Sequence, residues 1–336
     1  MAYTHGRGVV TAAVTALVLA ATAPVHAEPR DPWARAWGGN GAGRLGNGTL
    51  VAQQTPAGVQ GLARADVREL AAGGGNDTDS FAVALLDDGT DLSWGGNGSG
   101  QLGGGTTVGR PFPAAVALSG VSDVAAGLNS ASAVRGGRVL ARGDNAFGRL
   151  ANGSAEASPR PAAVQSLDKV RDIASGRSHS LARTADGTVK AWGYNSNGQL
   201  GDDSTEHGSV PVDVQHLTDV ARIYAAGYHS FAVLDDEQVR AWGWNGAGHL
   251  GDGSTVSRTT PVPVPGLTDV TAMAGGYHHT LAVLADGSVL AWGENTLGQL
   301  GDGTTTNSPT PVTALPPGSG TTRVAVSKVF RTSYAY

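Results

Sequence analysis

No segment of the chain carries the 3.6-residue alternation of an amphipathic helix. Apolar residues come in short runs that glycine, aspartate and proline interrupt. The stretch IASGRSHSLARTADGTVKAWG, residues 173–193, shows the pattern: an apolar run, Asp186-Gly187, and a second run ending in Trp192. Asp-Gly between two such runs is the strongest short-range hairpin signal, because both positions of the preferred turn need positive φ. A two-residue turn there places Leu181 opposite Trp192 and Ala182 opposite Ala191, large against large and small against small. Asp88-Gly89, Gly136-Gly137 and Asp286-Gly287 repeat the turn; Asp236-Glu237 lacks the glycine and is expected to be locally weaker. The pattern predicts an all-β chain.

The hairpins are copies of one unit. Trp37, Trp94, Trp192, Trp242 and Trp292 each precede a glycine, and Arg142-Gly143 holds the same place in a further copy. An N-x-x-G-[QRH]-L motif follows each of these, as in Asn195 to Leu200. Pro161, Pro211, Pro261 and Pro311 then recur at one spacing. A unit of this length, with short strands, turn glycines and one tryptophan, fits a propeller blade and no helical repeat. The chain starts, after its first residues, with WARAWGGNGAGRLG, the second half of a unit. It ends with TSYAY, which mimics HSFAV (His229–Val233), a first half. Joining the two would complete one blade and cover two edge strands. Six tryptophan-type halves and six partner halves predict a closed propeller of six four-stranded blades.

Residues 1–27 read as an export signal: Arg7, the apolar run Val9 to Ala21, then Val25-His26-Ala27 as a cleavage site. The run is too short to span a membrane. The propeller therefore occupies residues 28–336 and is expected outside the exporting cell as a monomer. Net charge is -5 with no basic block, which argues against nucleic acid and anionic membranes. There is no cysteine, so the exported domain relies on its core.

The AWGxNxxGQLGDGT motif, the spaced proline and the AAGxxHSLAL..DG.V segment together resemble the repeat of the regulator of chromosome condensation family, over nearly the whole mature chain. The resemblance implies a β-propeller of four-stranded blades, seven being usual in the family against the six counted here. The eponymous member acts on a nuclear GTPase, a role that an exported chain does not inherit. A secreted bacterial relative, the propeller-type β-lactamase inhibitory protein, is nearer in compartment, but its repeats are shorter and lack the QLGDGTT tail.

Candidate chemistry is sparse. The GQLGDGTT tail (Gly298–Thr305) lacks the Lys-Ser/Thr and helix of a phosphate-binding loop, so its glycines are read as turn-makers. Asp202, Asp252 and Asp302 do not have calcium-loop spacing. His179, His229 and His279 recur before Ser or Thr. Adjacent strand residues face opposite ways, and Asn129, Thr332 and Asp79 take the same place in other units, so these histidines are expected to bond a strand end. No catalytic group, cofactor or metal is expected.

The scaffold does not dictate the residue after Trp-Gly: Gly39, Gly96, Asp144, Tyr194, Trp244 and Glu294 stand there. Tyr228, Tyr277 and His278 vary in the loop before the His-Ser pair. Aromatic side chains on rigid loops are usual anchors of recognition. Tyr194, Trp244, Glu294, Tyr228, Tyr277 and His278 are therefore the candidate partner-binding residues, for an extracellular protein or a cell-wall glycan; the competing reading is that the rings cover neighbouring blades. The alternative function is a secreted polysaccharide-active enzyme with Asp79, Asp144 or Glu294 at the propeller mouth.

Overall fold

The computed structural model describes residues 34–62, 67–76, 78–326 and 332–336. The export signal expected at 1–27 lies outside the described residues. The structure is all-β, and five four-stranded antiparallel sheets follow one another along the chain as blades. After β1 (Arg35–Gly38) and β2 (Gln53–Gly58), the first blade is β3 (Val67–Gly73), β4 (Phe81–Leu86), β5 (Asp91–Gly95) and β6 (Arg110–Ala115). The second is β7 (Val121–Ala126), β8 (Ser130–Arg135), β9 (Arg138–Gly143) and β10 (Ser158–Ala163). The third is β11 (Val170–Ser175), β12 (His179–Thr184), β13 (Val189–Gly193) and β14 (Gly208–Asp213). The fourth is β15 (Val220–Ala225), β16 (His229–Leu234), β17 (Val239–Gly243) and β18 (Arg258–Pro263). The fifth is β19 (Val270–Gly275), β20 (His279–Leu284), β21 (Val289–Gly293) and β22 (Ser308–Leu315), before β23 (Val324–Val326) and β24 (Ser333–Ala335).

The first strands of all five blades, with β23, line one central cavity of about 380 Å³. The fourth strands are outer edges, which is why they tolerate Pro161, Pro211, Pro261 and Pro311.

Five blades stand where six were expected. The two halves at the chain ends form separate two-stranded sheets, β1–β2 and β23–β24, each pairing with its own sequence neighbour. They nonetheless pack as halves of the unit. Ala34, Ala36 and Leu45 join the apolar cluster of Val67, Leu70, Ala82 and Trp94 in the first blade. Val324 and Val326 join Leu281, Val283 and Leu300 in the fifth.

The hairpin register is one residue away from the expected one. Ser180 faces Trp192 and Leu181 faces Ala191. The reason is the turn: Thr184 N–H bonds Thr188 O at 3.0 Å, leaving a three-residue loop in which Gly187 alone has positive φ (79°). Such loops place a left-handed residue last. Large-with-large packing occurs instead between blades. Trp242 packs with Leu181, Val189 and Leu200 of the third blade, and Trp192 and Trp292 have equivalent partners in the second and fourth. The turn at Asp236-Glu237 keeps the same bonds, with Glu237 forced to φ 67° in the glycine place.

The repeated polar residues stitch these interfaces. Within the motif, Asn195 Oδ1 accepts from Leu200 N (2.8 Å), and its Nδ2 donates to Ser204 O (3.1 Å) and Asp202 Oδ1 (3.0 Å). Asp252 and Asp302 cap their loops alike, so these aspartates are structural. Between blades, Trp242 Nε1 and Ser230 Oγ both donate to the Gln199 carbonyl, each at 2.9 Å. With its proton committed there, Ser230 Oγ accepts from His179 Nε2 at 2.9 Å. His229 meets Thr280 (2.9 Å) and His279 meets Ser333 (2.8 Å) in the same way. The histidines are thus structural, but each bonds the next blade and not its own strand end. Ser333 puts TSYAY in the role of HSFAV.

One interface departs from the repeat. Where the others carry tryptophan, Arg142 sends Nε to the Gln101 carbonyl (3.1 Å), copying the indole N–H. Its remaining nitrogens grip the Asp91 carboxylate at 2.6 and 3.1 Å, both side chains fully buried. Asp91 replaces the valine of Val139, Val189, Val239 and Val289.

An aromatic ribbon as the candidate functional site

Each third strand runs antiparallel to the second, so His229 pairs with Gly243 and His279 with Gly293. The two variable positions of the repeat therefore emerge side by side on one face. Backbone bonds lock them: Tyr194 N to Ser178 O (2.9 Å), Trp244 N to Tyr228 O (2.9 Å) and Glu294 N to His278 O (2.8 Å). Gly193 permits the turn with φ 100°. Successive loops are also joined to one another: Leu128 N bonds Arg177 O (3.0 Å), Arg177 N bonds Ala226 O (3.2 Å), and Gly227 N bonds Gly276 O (3.0 Å). The approach is close enough that a Cβ on Gly176 would lie 2.3 Å from the Ala226 carbonyl oxygen.

The structure brings all six sequence-derived residues into one chain of contacts. Tyr194 lies 5.4 Å from Tyr228, which lies 5.2 Å from Tyr277. Tyr277 meets Trp244 at 6.0 Å and His278 at 4.4 Å, and His278 Nδ1 stands 2.6 Å from Glu294 Oε2. All six are half-buried. Mostly tilted or edge-to-face, these pairs stabilise one another by about 0.5–1.5 kcal/mol each beyond area burial.

Four members of the ribbon were not legible as site residues. Phe147 packs at 5.0 Å against Tyr194 and 4.9 Å against His207, which stacks on Tyr194. Phe147 is 47% exposed and has φ 62°, an unfavourable left-handed backbone for a bulky residue. The equivalent Asn197, Ala247 and Leu297 have no positive φ, so nothing in the motif announced it. His249 stacks under Trp244 at 4.2 Å, concealed as one of the allowed residues of its motif. Arg177 lies over Tyr228 (5.9 Å) and Tyr277 (5.4 Å). Its signal was available: arginine stands in SGRSHS where the copies on either side have Gly127 and Gly227 and the one beyond has Tyr277.

The family profile that matches this chain, over residues 34–335, is that of the RCC1-like domain. The chain belongs to the RCC1-like domain family. Solved structures of similar fold include human WBSCR16, at 23% identity over 87% of this chain and 78% of that one, TM-score 0.74. Yeast RCC1 (Prp20), solved bound to Kap60, is 22% identical over 90% of this chain and 75% of that one, TM-score 0.77. Prp20p from Saccharomyces cerevisiae is also similar in a second structure, at 19% identity over 88% and 89% of the two chains, TM-score 0.67. The β-propeller of repeated units expected from the sequence is thus the fold of the family.

In this RCC1-like domain the three candidate mouth carboxylates are separately engaged. Asp79 Oδ1 accepts from the backbone N–H of Gly75 (2.8 Å) and Asn76 (2.9 Å). Asp144 pairs with Arg149 at 3.0 Å, and Glu294 with His278. Glu69 and Asp123 do form a hydrogen-bonded carboxylate pair, near the opposite end of the first strands. Each follows a bulge in its strand, and both line a pocket at that end of the first strands. Burial, then the neighbouring Asp123 charge, raises Glu69 well above the usual range; burial lifts Asp123 to about 6. Strand alternation alone could not have found this pair. Among the described residues, no group of three His, Cys, Asp or Glu is placed to hold a metal, and no helix is long and apolar enough to cross a membrane.

Proposed function

We propose that this RCC1-like propeller is a secreted, non-enzymatic binding protein that docks a protein partner on the face carrying the aromatic ribbon. The observation behind this reading is the contiguity of Tyr194, Tyr228, Tyr277, Trp244, His278 and Glu294 on loops whose backbones are mutually bonded. The repeat needs none of these side chains: other copies place Gly39, Gly96 or Asp144 after the Trp/Arg-Gly pair, Leu128 or Ser178 at the place of Tyr228 and His278, and Gly227 at that of Tyr277. Yeast RCC1 bound to Kap60 gives a family precedent for a protein partner. Support for secretion is the export-type sequence of residues 1–27. The rival enzyme would need two carboxylates about 5–9.5 Å apart at the mouth. Glu294, Asp144 and Asp79 instead hold local partners.

The test is a pull-down from the exporting organism's culture medium with the mature chain as bait. Paired Tyr194→Ala and Trp244→Ala changes are expected to weaken the captured complex by about 2 kcal/mol or more, roughly thirtyfold. Unchanged affinity in a normally folded double variant would remove this face from consideration. Inhibition of a secreted β-lactamase would name the partner class, and turnover of a glycan abolished by Glu294→Gln would favour the enzyme.

We also propose that the separate sheets β23–β24 and β1–β2 pack side by side and so close the ring. Ser333 and Arg44 O take the hydrogen-bonding places that Ser230 and Gln199 O hold elsewhere. Removing residues 332–336 is then expected to lower the melting temperature sharply and expose both chain ends to protease. A truncated chain that melts with the full one contradicts closure.

A further inference from the structure

We infer that Arg177 is the anchor of the docking face and that the partner segment is an acidic polypeptide, presenting one Asp or Glu carboxylate flanked by apolar side chains; this rests on the docking-face reading above. Arg177 is half-buried, and its guanidinium lies over Tyr228 and Tyr277. Among the described residues it has no carboxylate partner and donates no side-chain hydrogen bond. The other charged groups of the ribbon are committed: Arg149 to Asp144 at 3.0 Å, His278 to Glu294 at 2.6 Å. Among the described residues, a protein of net charge -5 thus leaves Arg177 as an uncommitted cation within an aromatic surface. A guanidinium is weakly hydrated, stacks on rings and still offers its forked donors to a carboxylate.

The surroundings set the rest of the chemistry. The Arg177 guanidinium, with Asp144 and Glu294 at the two ends of the ribbon, suits a single negative charge; a more highly charged anion would meet uncompensated repulsion. The rings mostly pack tilted or edge-to-face, so few flat faces stay open for stacking a sugar. What they present is a corrugated apolar surface, the kind that side chains fill. Phe147 is 47% exposed and held in a strained backbone at one end of that surface. Strain of this kind, kept where the repeat does not require it, gathers at ligand-binding sites.

The test uses a random peptide library displayed on phage and panned against the immobilised mature protein, with Arg177→Glu and Arg177→Gln run in parallel. Wild-type protein is expected to enrich peptides with Asp or Glu beside aromatic or aliphatic residues. Their affinity should fall tenfold or more on Arg177→Gln, and Arg177→Glu should select Lys or Arg in the acidic place. Both variants should keep a melting temperature near that of the wild type, because they leave the backbone bonds of Arg177 in place and remove only its stacking on two rings; if Arg177→Glu does not fold, Arg177→Gln alone carries the comparison. The same consensus on all three proteins overturns the proposal, as does failure to enrich any peptide. Enriched peptides without a carboxylate, lost on Tyr228→Ala or Trp244→Ala, overturn the acidic anchor and leave the docking face standing. Binding on a glycan array that Tyr228→Ala abolishes overturns the polypeptide assignment.

Discussion

Arg142→Met is expected to destabilise the propeller by about 3–5 kcal/mol, because it leaves the Asp91 carboxylate buried without its partner. That is a large fraction of the roughly 5–15 kcal/mol that holds a typical domain folded. Asp91→Val alone should cost a comparable amount, since it leaves the guanidinium buried instead. The neighbouring Arg110 sharpens the effect of losing Asp91: its guanidinium bonds Ser93 Oγ at 2.7 Å, and burial, then the Arg142 charge, already lowers its pKa against the pull of Asp91. Changing all three positions at once should reverse the loss. Asp91→Val, Ser93→Ala and Arg142→Trp together rewrite this interface as Val139, Ala141 and Trp192 build the next one. The groove is already cut: a Cβ on Gly103 would strike Arg142 Cδ at 2.4 Å, as one on Gly201 would strike Trp242 Nε1 at 2.8 Å. Well-packed apolar replacements of buried ion pairs are often neutral or stabilising by about 1–4 kcal/mol. Urea unfolding of the four proteins decides the matter. A single variant as stable as the parent would deny the pair its role, and a triple variant no better than Arg142→Met would deny that the residues compensate one another.

That compensation was written in the sequence, where Asp91, Ser93 and Arg142 break the repeat together, but only the fold shows that they touch. Repetition made the architecture legible, because a unit copied several times averages out local noise. It also made the candidate site legible, by contrast: Tyr194, Trp244 and Glu294 stood out because the surrounding letters did not change. Register was not legible. An Asp-Gly pair fits both a two-residue and a three-residue loop, and the choice shifts every partner by one, which is why Leu181 faces Ala191 and not Trp192. The blade count failed at the chain ends for a related reason: matching halves of sequence do not state which edges hydrogen-bond. Arg177 and Phe147 were overlooked because their meaning lies in neighbours from adjacent blades, and Glu69 and Asp123 because a bulge interrupts the alternation of each strand.

Acidification from pH 7 to pH 5 is expected to weaken the fold steeply, through histidines buried as neutral rings. Burial, together with the charges of His249, His179 and His279, holds His229 well below its usual value; burial brings His249 and His279 to about 4. An unfolded chain binds these protons near pH 6.5, whereas the folded chain refuses them. Their contribution is therefore complete above about pH 6.5 and is lost as pH falls towards the folded values, at up to roughly 1.4 kcal/mol per pH unit for each ring. Glu69 and Asp123 oppose this. Their raised values mean that the folded chain holds protons the unfolded chain has released, so their contribution is present at low pH and lost as pH rises through about 6 for Asp123. Three rings against two carboxyls leave stability falling with acid, by a net slope of about one proton or more. His229→Asn separates the effects, since Asn129 already occupies that place in the second blade. It should cost stability at pH 7 by removing the bond to Thr280, yet flatten the decline towards pH 5. Glu69→Gln should raise the unfolding midpoint at pH 8 and steepen the same decline. Unfolding midpoints taken at pH 8, 7 and 5 check both changes of slope; a decline identical in parent and His229→Asn would show that the buried ring is not what senses acid.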